Sequence, residues 1–368
     1  MFSKTGVVDS QLRQAAGYDP FLRGPFPVGV QTLDAYHKSR NRLFPCEVWY
    51  PAAAQHTGRD IDLSTQDRFT PRNSATETSQ SAVRDAAALR GVYPLIVFSH
   101  HSGGHRRASS FLCTHLASHG YIVAALDHSE VVAPELARPQ TESEEEKKSR
   151  WQAVINSRVP DARFLIDHLL QPANWTSDAT IDPEQIAIAG HSFGAWTALA
   201  TPEVDHRIRA VVAMAPGGTS NPRPGILPGK LTFNWGRDVP VLYLAAENDV
   251  PLPLAGMYEL FARTRSTKQM VILRRADHMH FVDNVAQQHE TFRTMPMPMP
   301  PEVAAMQKEM LPMSQLSSEE QAHTWIRGLA LAHLDAFLKR RREAEQFLAG
   351  DVAGELAKRG VEVILHKP

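Results

Sequence analysis

The pentapeptide Gly190-His191-Ser192-Phe193-Gly194 follows directly on the apolar run Ile186-Ala187-Ile188-Ala189 and precedes Ala195-Trp196-Thr197-Ala198-Leu199-Ala200. A buried strand, a turn with glycine on both sides of one serine, and a helix start leave few folds open. The turn is too tight for side chains at its flanks. A serine held there sits on strained backbone, with its hydroxyl projecting above the strand ends. G-x-S-x-G alone arises by chance in many chains; its seat between strand and helix gives it weight here.

The surrounding sequence reads as a sheet that could carry such a turn. Residues 93–98, 121–126, 208–214, 239–245 and 268–273 are apolar runs of the kind found in strands covered on both faces. Helical stretches at about 109–117 and 151–170 fall between them. Strand and helix in alternation imply βαβ units and a mostly parallel sheet, with functional loops at the strand C-termini. Two earlier segments, 28–33 and 45–50, alternate as half-buried antiparallel strands do.

The remaining segments are read by composition. Residues 52–90 are polar and are expected to be a surface insertion, and the charged run 141–148 a solvated loop or first helical turn. The stretch 295–301 alternates Met and Pro and cannot be regular helix. Two readings of 284–316 therefore stay open: an adaptable Met-rich lid over the site, or a surface excursion. Ser317-Ser318-Glu319-Glu320 offers a capping-box start to a long helix, with Trp325, Ile326, Leu329, Leu334, Phe337 and Leu338 on its apolar face. The tail after Gly350 is expected to add a short helix and an edge strand. Residues 1–368 read as one domain, with 317–368 its C-terminal helix and tail.

A formal net charge of -1 gives no case for nucleic acid or an acidic membrane surface. No stretch approaches the roughly 18 apolar residues of a membrane span. Met1-Phe2-Ser3-Lys4-Thr5-Gly6 lacks an apolar core of signal-peptide type. The two cysteines, Cys46 and Cys113, are expected as buried free thiols of a cytoplasmic protein. Seventeen histidines invite a metal, above all His100, His101 and His105, but none stands with Cys or carboxylates at ligand spacing, so neither metal nor cofactor is expected.

A serine hydroxyl is a poor nucleophile at neutral pH; it needs a base, and the base an orienting acid. Both are available at strand ends further along the chain. Ala246-Glu247-Asn248-Asp249 follows one apolar run and Ala276-Asp277-His278-Met279-His280-Phe281 follows another. Asp249 is preferred to Glu247, which lies nearer the strand, and His278 to His280, whose neighbour Phe281 marks a packed segment. Asp277 is read as a solvated loop carboxylate. Oxyanion donors are expected from the N–H of Phe193 and from the loop Ser99-His100-His101-Ser102-Gly103-Gly104-His105. In that loop Ser102 is assigned, with His101 as competitor. Asp127-His128 is given a structural hydrogen-bonding role in preference to a place in the pocket.

Ser99-His100 with its glycine loop, the stretch 116–125 and the serine pentapeptide together resemble the platelet-activating-factor acetylhydrolase-like and dienelactone-hydrolase-like branch of the α/β-hydrolases, over roughly residues 26–283. Glu247-Asn248-Asp249 is similar to the acid loop of cutinase-like polyester hydrolases. The resemblance implies an α/β-hydrolase fold and hydrolysis of small-molecule or lipid-like carboxylic esters through Ser192, His278 and Asp249. Lactone, thioester, polyester or amide cleavage on the same residues is the alternative, as is an inactive scaffold used for binding. Two departures stand out. The branch reads Ser-His-Gly where this chain has Ser99-His100-His101. The secreted acetylhydrolases carry their acid after the strand that follows the elbow helix, where this chain has Ala215-Pro216-Gly217-Gly218 and no carboxylate.

Overall fold

In the computed structural model, residues 17–71, 76–139, 141–175, 177–295 and 300–366 are described. The N-terminal segment and the centre of the Met/Pro run, 296–299, lie outside them. The strands are β1 (Val28–His37), β2 (Arg42–Pro51), β3 (Asp67–Phe69), β4 (Thr78–Gln80), β5 (Val83–Arg84), β6 (Gly91–Ser99), β7 (Ile122–Leu126), β8 (Ala179–His191), β9 (Ile208–Met214), β10 (Val241–Ala246), β11 (Lys268–Leu273) and β12 (Val363–His366). The helices are α1 (Ser110–Ser118), α2 (Ser129–Val132), α3 (Glu144–Leu169), α4 (Phe193–Ala200) and α5 (Leu254–Arg263), followed by α6 (Val285–Thr294), α7 (Pro301–Glu309), α8 (Glu319–Phe337), α9 (Arg342–Ala349) and α10 (Val352–Ala357).

The main sheet runs β12-β11-β10-β9-β8-β6-β7-β2-β1-β5. Strands β6 to β11 pair in parallel, while β2 joins β7, and β12 joins β11, antiparallel. Apolar runs are buried on both faces because successive side chains alternate between two cores. Leu95 and Val97 of β6 pack with α3, α4 and α5, whereas Ile96 and Phe98 pack with α1 and α8. The order changes direction at β6, whose neighbours are β7 on one side and β8 on the other. A crevice opens above the strand ends at such a reversal. The loop after β6 and the turn after β8 meet in it, with Ser99 in register with Gly190.

One expectation changes and two gain detail. The 52–90 segment is tied into the sheet: β5 pairs with β1, and the β3–β4 hairpin buries Asp67 and Gln80. Its polar residues serve as partners for one another and for the sheet. Arg84 bridges Asp67 at 2.7 Å and the fully buried Glu47 at 2.8 Å, and Trp49 donates to Gln80 at 2.7 Å. The 141–148 run is the cap and first turn of α3, where Ser143 and Glu146 close a capping box. In α8 Ser318 is the cap, with Gln321 completing the box, and Phe337 is 36% exposed at the helix end. Cys46 and Cys113 are buried free thiols.

Candidate active site

Ser192 sits between β8 and α4 with φ 58° and ψ -116°, a region that a residue with a side chain seldom occupies. The strain is held from both sides. Ser192 N–H donates to Met214 at 2.9 Å, and its carbonyl accepts from Trp196 at 3.0 Å. The two glycines are sterically required: a Cβ on Gly190 would lie 2.3 Å from the Gly194 carbonyl oxygen, and one on Gly194 only 1.9 Å from that of Ser99. The half-buried hydroxyl therefore faces the crevice.

Asp249, in the loop after β10, and His278, after β11, come to this hydroxyl in series. His278 Nε2 is 2.9 Å from Ser192 Oγ, and His278 Nδ1 is 2.7 Å from Asp249 Oδ2. The other Asp249 oxygen accepts the Leu252 N–H at 2.8 Å. Burial pulls the His278 imidazole toward its neutral form. The Asp249 charge and hydrogen bond outweigh that, with help from Asp277, and leave its pKa above the ordinary 6.5. Both competing residues point elsewhere: Glu247 accepts from the Arg275 N–H at 2.9 Å, and His280 Nε2 donates to the Ser317 carbonyl at 2.9 Å.

Asp277 is not the solvated carboxylate its loop position suggests. It is buried beneath the His278 turn, 2.9 Å from His280 Nδ1 and in contact with His289 of α6. Burial opposes its charge, but those imidazoles hold it well below the usual carboxylate range. Asp277 thus fastens the turn that presents His278.

A second Ser–His–Asp relay lies close by. Ser99 Oγ is 2.8 Å from His128 Nε2, and His128 Nδ1 is 3.2 Å from Asp161. Ser99 and Asp161 have no exposure and His128 has 1%, so no substrate can reach them. This relay is a structural hydrogen-bond network under the β6 loop, the role expected for His128. Access, not relay geometry, separates the two serines.

Ser192 and His278 open onto a cavity of about 130 Å³. Trp151, Phe193, Trp196, Ile226, Leu227 and Leu252 supply apolar walls, Gly217 and Gly218 part of the floor, and among the described residues no Asp, Glu, Lys or Arg side chain lines it. Ser102 is on this wall, whereas His101 lines a separate polar cleft across the loop. As the first residue of α4, Phe193 has an N–H with no acceptor inside the helix. Among the described residues none of 284–295 or 300–316 lines this cavity, whereas Gly225, Ile226, Leu227 and Gly229 do; the centre of the expected lid, 296–299, lies outside the described residues. His191 packs between the rings of His101 and His278 at 5.3 and 4.7 Å. Burial drives it neutral. Nothing local in the sequence marks Trp151 or the 217–229 loop as pocket. Trp196 had a signal, being one helical turn beyond the serine.

Residues 19–169 match the family model for platelet-activating factor acetylhydrolase, isoform II. Platelet-activating factor acetylhydrolase of Cavia porcellus is 24% identical over 72% of this chain and 68% of its own length. The Bos taurus protein is 28% identical over 52% of this chain and 48% of its own. The chain has the α/β-hydrolase fold and is similar to the platelet-activating factor acetylhydrolases. In this α/β-hydrolase the family match ends at residue 169, so it takes in the β6 loop and α3 but neither Ser192, Asp249 nor His278. A ferulic acid esterase from Streptomyces cinnamoneus superimposes with a TM-score of 0.58 at 24% identity, over 89% of this chain and 94% of that one, which speaks to the fold. These relatives and this structural neighbour are ester hydrolases.

Proposed function

We propose that the chain hydrolyses esters of small acyl groups through Ser192, His278 and Asp249. Ser192 Oγ attacks the acyl carbonyl while His278 Nε2 takes its proton, and Asp249 keeps the other imidazole proton on Nδ1. The carbonyl oxygen becomes an oxyanion held by the N–H groups of Phe193 and Ser102, each such donor being worth roughly 3–4 kcal/mol. The carbon–oxygen bond then breaks, His278 protonates the departing alcohol, and the acyl group stays on Ser192. Water, deprotonated by the same imidazole, attacks the acyl-enzyme and releases the acid.

The observation that carries this reading is the unbroken Asp249–His278–Ser192 relay at the mouth of an apolar cavity. Its volume of about 130 Å³ sets the acyl size. A closed cavity of about 150 Å³ holds a benzene ring, so acetyl to butyryl or a single aromatic ring fits inside, and a long lipid chain would have to run out through the open mouth. The lack of Asp, Glu, Lys and Arg side chains among the described lining residues disfavours ionic acyl groups.

On p-nitrophenyl esters from acetate to decanoate, beside Ser192→Ala, kcat/KM for butyrate should exceed that for decanoate by more than about 10-fold. Preference for the longest chain would remove this cavity as the acyl site. No turnover and no labelling by a fluorophosphonate would put a binding scaffold first. Because His278 serves as base only when neutral, kcat/KM should rise with pH through a midpoint above 6.5. A midpoint at or below 6.5 would show that Asp249 does not govern the imidazole.

A further inference from the structure

Arg158, in the middle of α3, has no exposure and reaches the backbone of the β6 loop. Nη1 donates to the His100 carbonyl at 2.6 Å and approaches Ser99 Oγ at 3.4 Å. Nη2 donates to the His101 carbonyl at 3.2 Å and also meets Glu130, whose side chain is 11% exposed. The face of the guanidinium lies 4.3 Å from the centre of the Phe193 ring. One buried cation therefore touches Phe193 and the carbonyl of the peptide unit that carries the Ser102 N–H.

The geometry of the peptide bond turns these contacts into an orientation. The His101 carbonyl and the Ser102 N–H belong to one planar trans unit and point in opposite directions. That carbonyl accepts from Arg158 and, at 2.7 Å, from His100 Nδ1. The His100 tautomer is fixed as well, since its Nε2 accepts the His128 N–H at 3.2 Å. With the carbonyl pinned toward α3, the Ser102 N–H is turned the other way, where Ser102 lines the cavity. Ser102 and Gly103 are exposed, with Gly103 at φ 72°, and the same carbonyl closes their turn by accepting the Gly104 N–H at 3.1 Å, so the clamp ties a self-closed turn to α3.

We propose that Arg158 is the positioning residue of the oxyanion hole, fixing the 101–102 peptide plane and polarising its N–H from behind. This rests on the ester-hydrolase reading above. The departure from Ser-His-Gly falls on His101, the residue whose carbonyl this clamp secures.

The test uses Arg158→Lys, which keeps the charge but cannot span both carbonyls, and the double variant Arg158→Met/Glu130→Met, which leaves no lone buried charge. Each is assayed on p-nitrophenyl butyrate and titrated with a trifluoromethyl ketone, whose adduct with the serine carries the oxyanion. In folded variants kcat should fall on the order of 10²-fold with KM within about threefold, and ketone affinity should fall in step with kcat/KM. The acid limb of the pH profile should not move. A loss carried by KM, or ketone affinity that stays put while kcat falls, overturns the proposal.

Should neither variant fold, Glu130→Gln decides. Loosening the guanidinium there should lower kcat by about 10-fold, with the same parallel loss of ketone affinity; unchanged values overturn the proposal. A wild type that forms no ketone adduct and shows no Ser192-dependent turnover would instead bring down the esterase reading, and this proposal with it.

Discussion

Asp249→Asn should lower kcat on the order of 10⁴-fold while leaving the fold intact. The argument lies in which end of the new amide faces the histidine. The Leu252 N–H needs an acceptor, which Asp249 Oδ1 now provides at 2.8 Å. Asparagine can serve it only with its oxygen, so its NH₂ takes the place of Oδ2, 2.7 Å from His278 Nδ1. Nδ1 must then accept, the imidazole proton moves to Nε2, and the base presents a proton to Ser192 instead of a lone pair. The two side chains are nearly isosteric, so the thermal midpoint should barely change. Glu247→Gln is the control: its carboxylate faces Arg274 and the Arg275 N–H, and activity should stay near wild type. A loss at Glu247 equal to that at Asp249, or activity retained by Asp249→Asn, would remove Asp249 from the mechanism.

The parts of this site that could be read in the sequence share one property: each lies where an apolar run ends. Asp249 and His278 are legible because a parallel sheet puts the ends of β10 and β11 on the same side as the end of β8. Chain order alone then brings them together. The central strands were legible for a related reason, since burial on both faces leaves an unbroken apolar run.

What escaped depends on approaches between distant segments that no local pattern records. Asp277 looks like any loop carboxylate until His280 and His289 close on it. Arg158 looks like an ordinary helical arginine until β6 ends beneath it. The polar composition of 52–90 signals solvent, yet Asp67 and Gln80 are buried because Arg84, Glu47 and Trp49 wait for them across the sheet. Composition reports how polar a segment is; only the fold decides whether that polarity meets water or a partner. The lining of the cavity follows the same rule. Nothing in the composition of 217–229, rich in glycine and proline, announces that it lines the cavity.

Gly194→Ala should cost the chain about 3 kcal/mol or more and take activity with it. The added Cβ would stand 1.9 Å from the Ser99 carbonyl oxygen and 2.7 Å from that of His100. Neither atom is the end of a flexible side chain. Both belong to the backbone that closes β6 and opens the oxyanion loop, and Arg158 holds that loop by the His100 carbonyl itself. Relief therefore means moving α4 off the strand ends, which carries the Phe193 N–H and Ser192 away from His278. A shift of about 1 Å at such a site can cost on the order of 10²-fold in rate even where the fold survives. Gly217→Ala separates this effect from a general intolerance of glycine substitution. It lines the same cavity, but its Cβ would meet nothing within 4 Å, so the thermal midpoint should hold while the acyl profile shifts to smaller groups. A folded Gly194→Ala enzyme with activity near wild type would mean that the elbow and the end of β6 do not approach this closely.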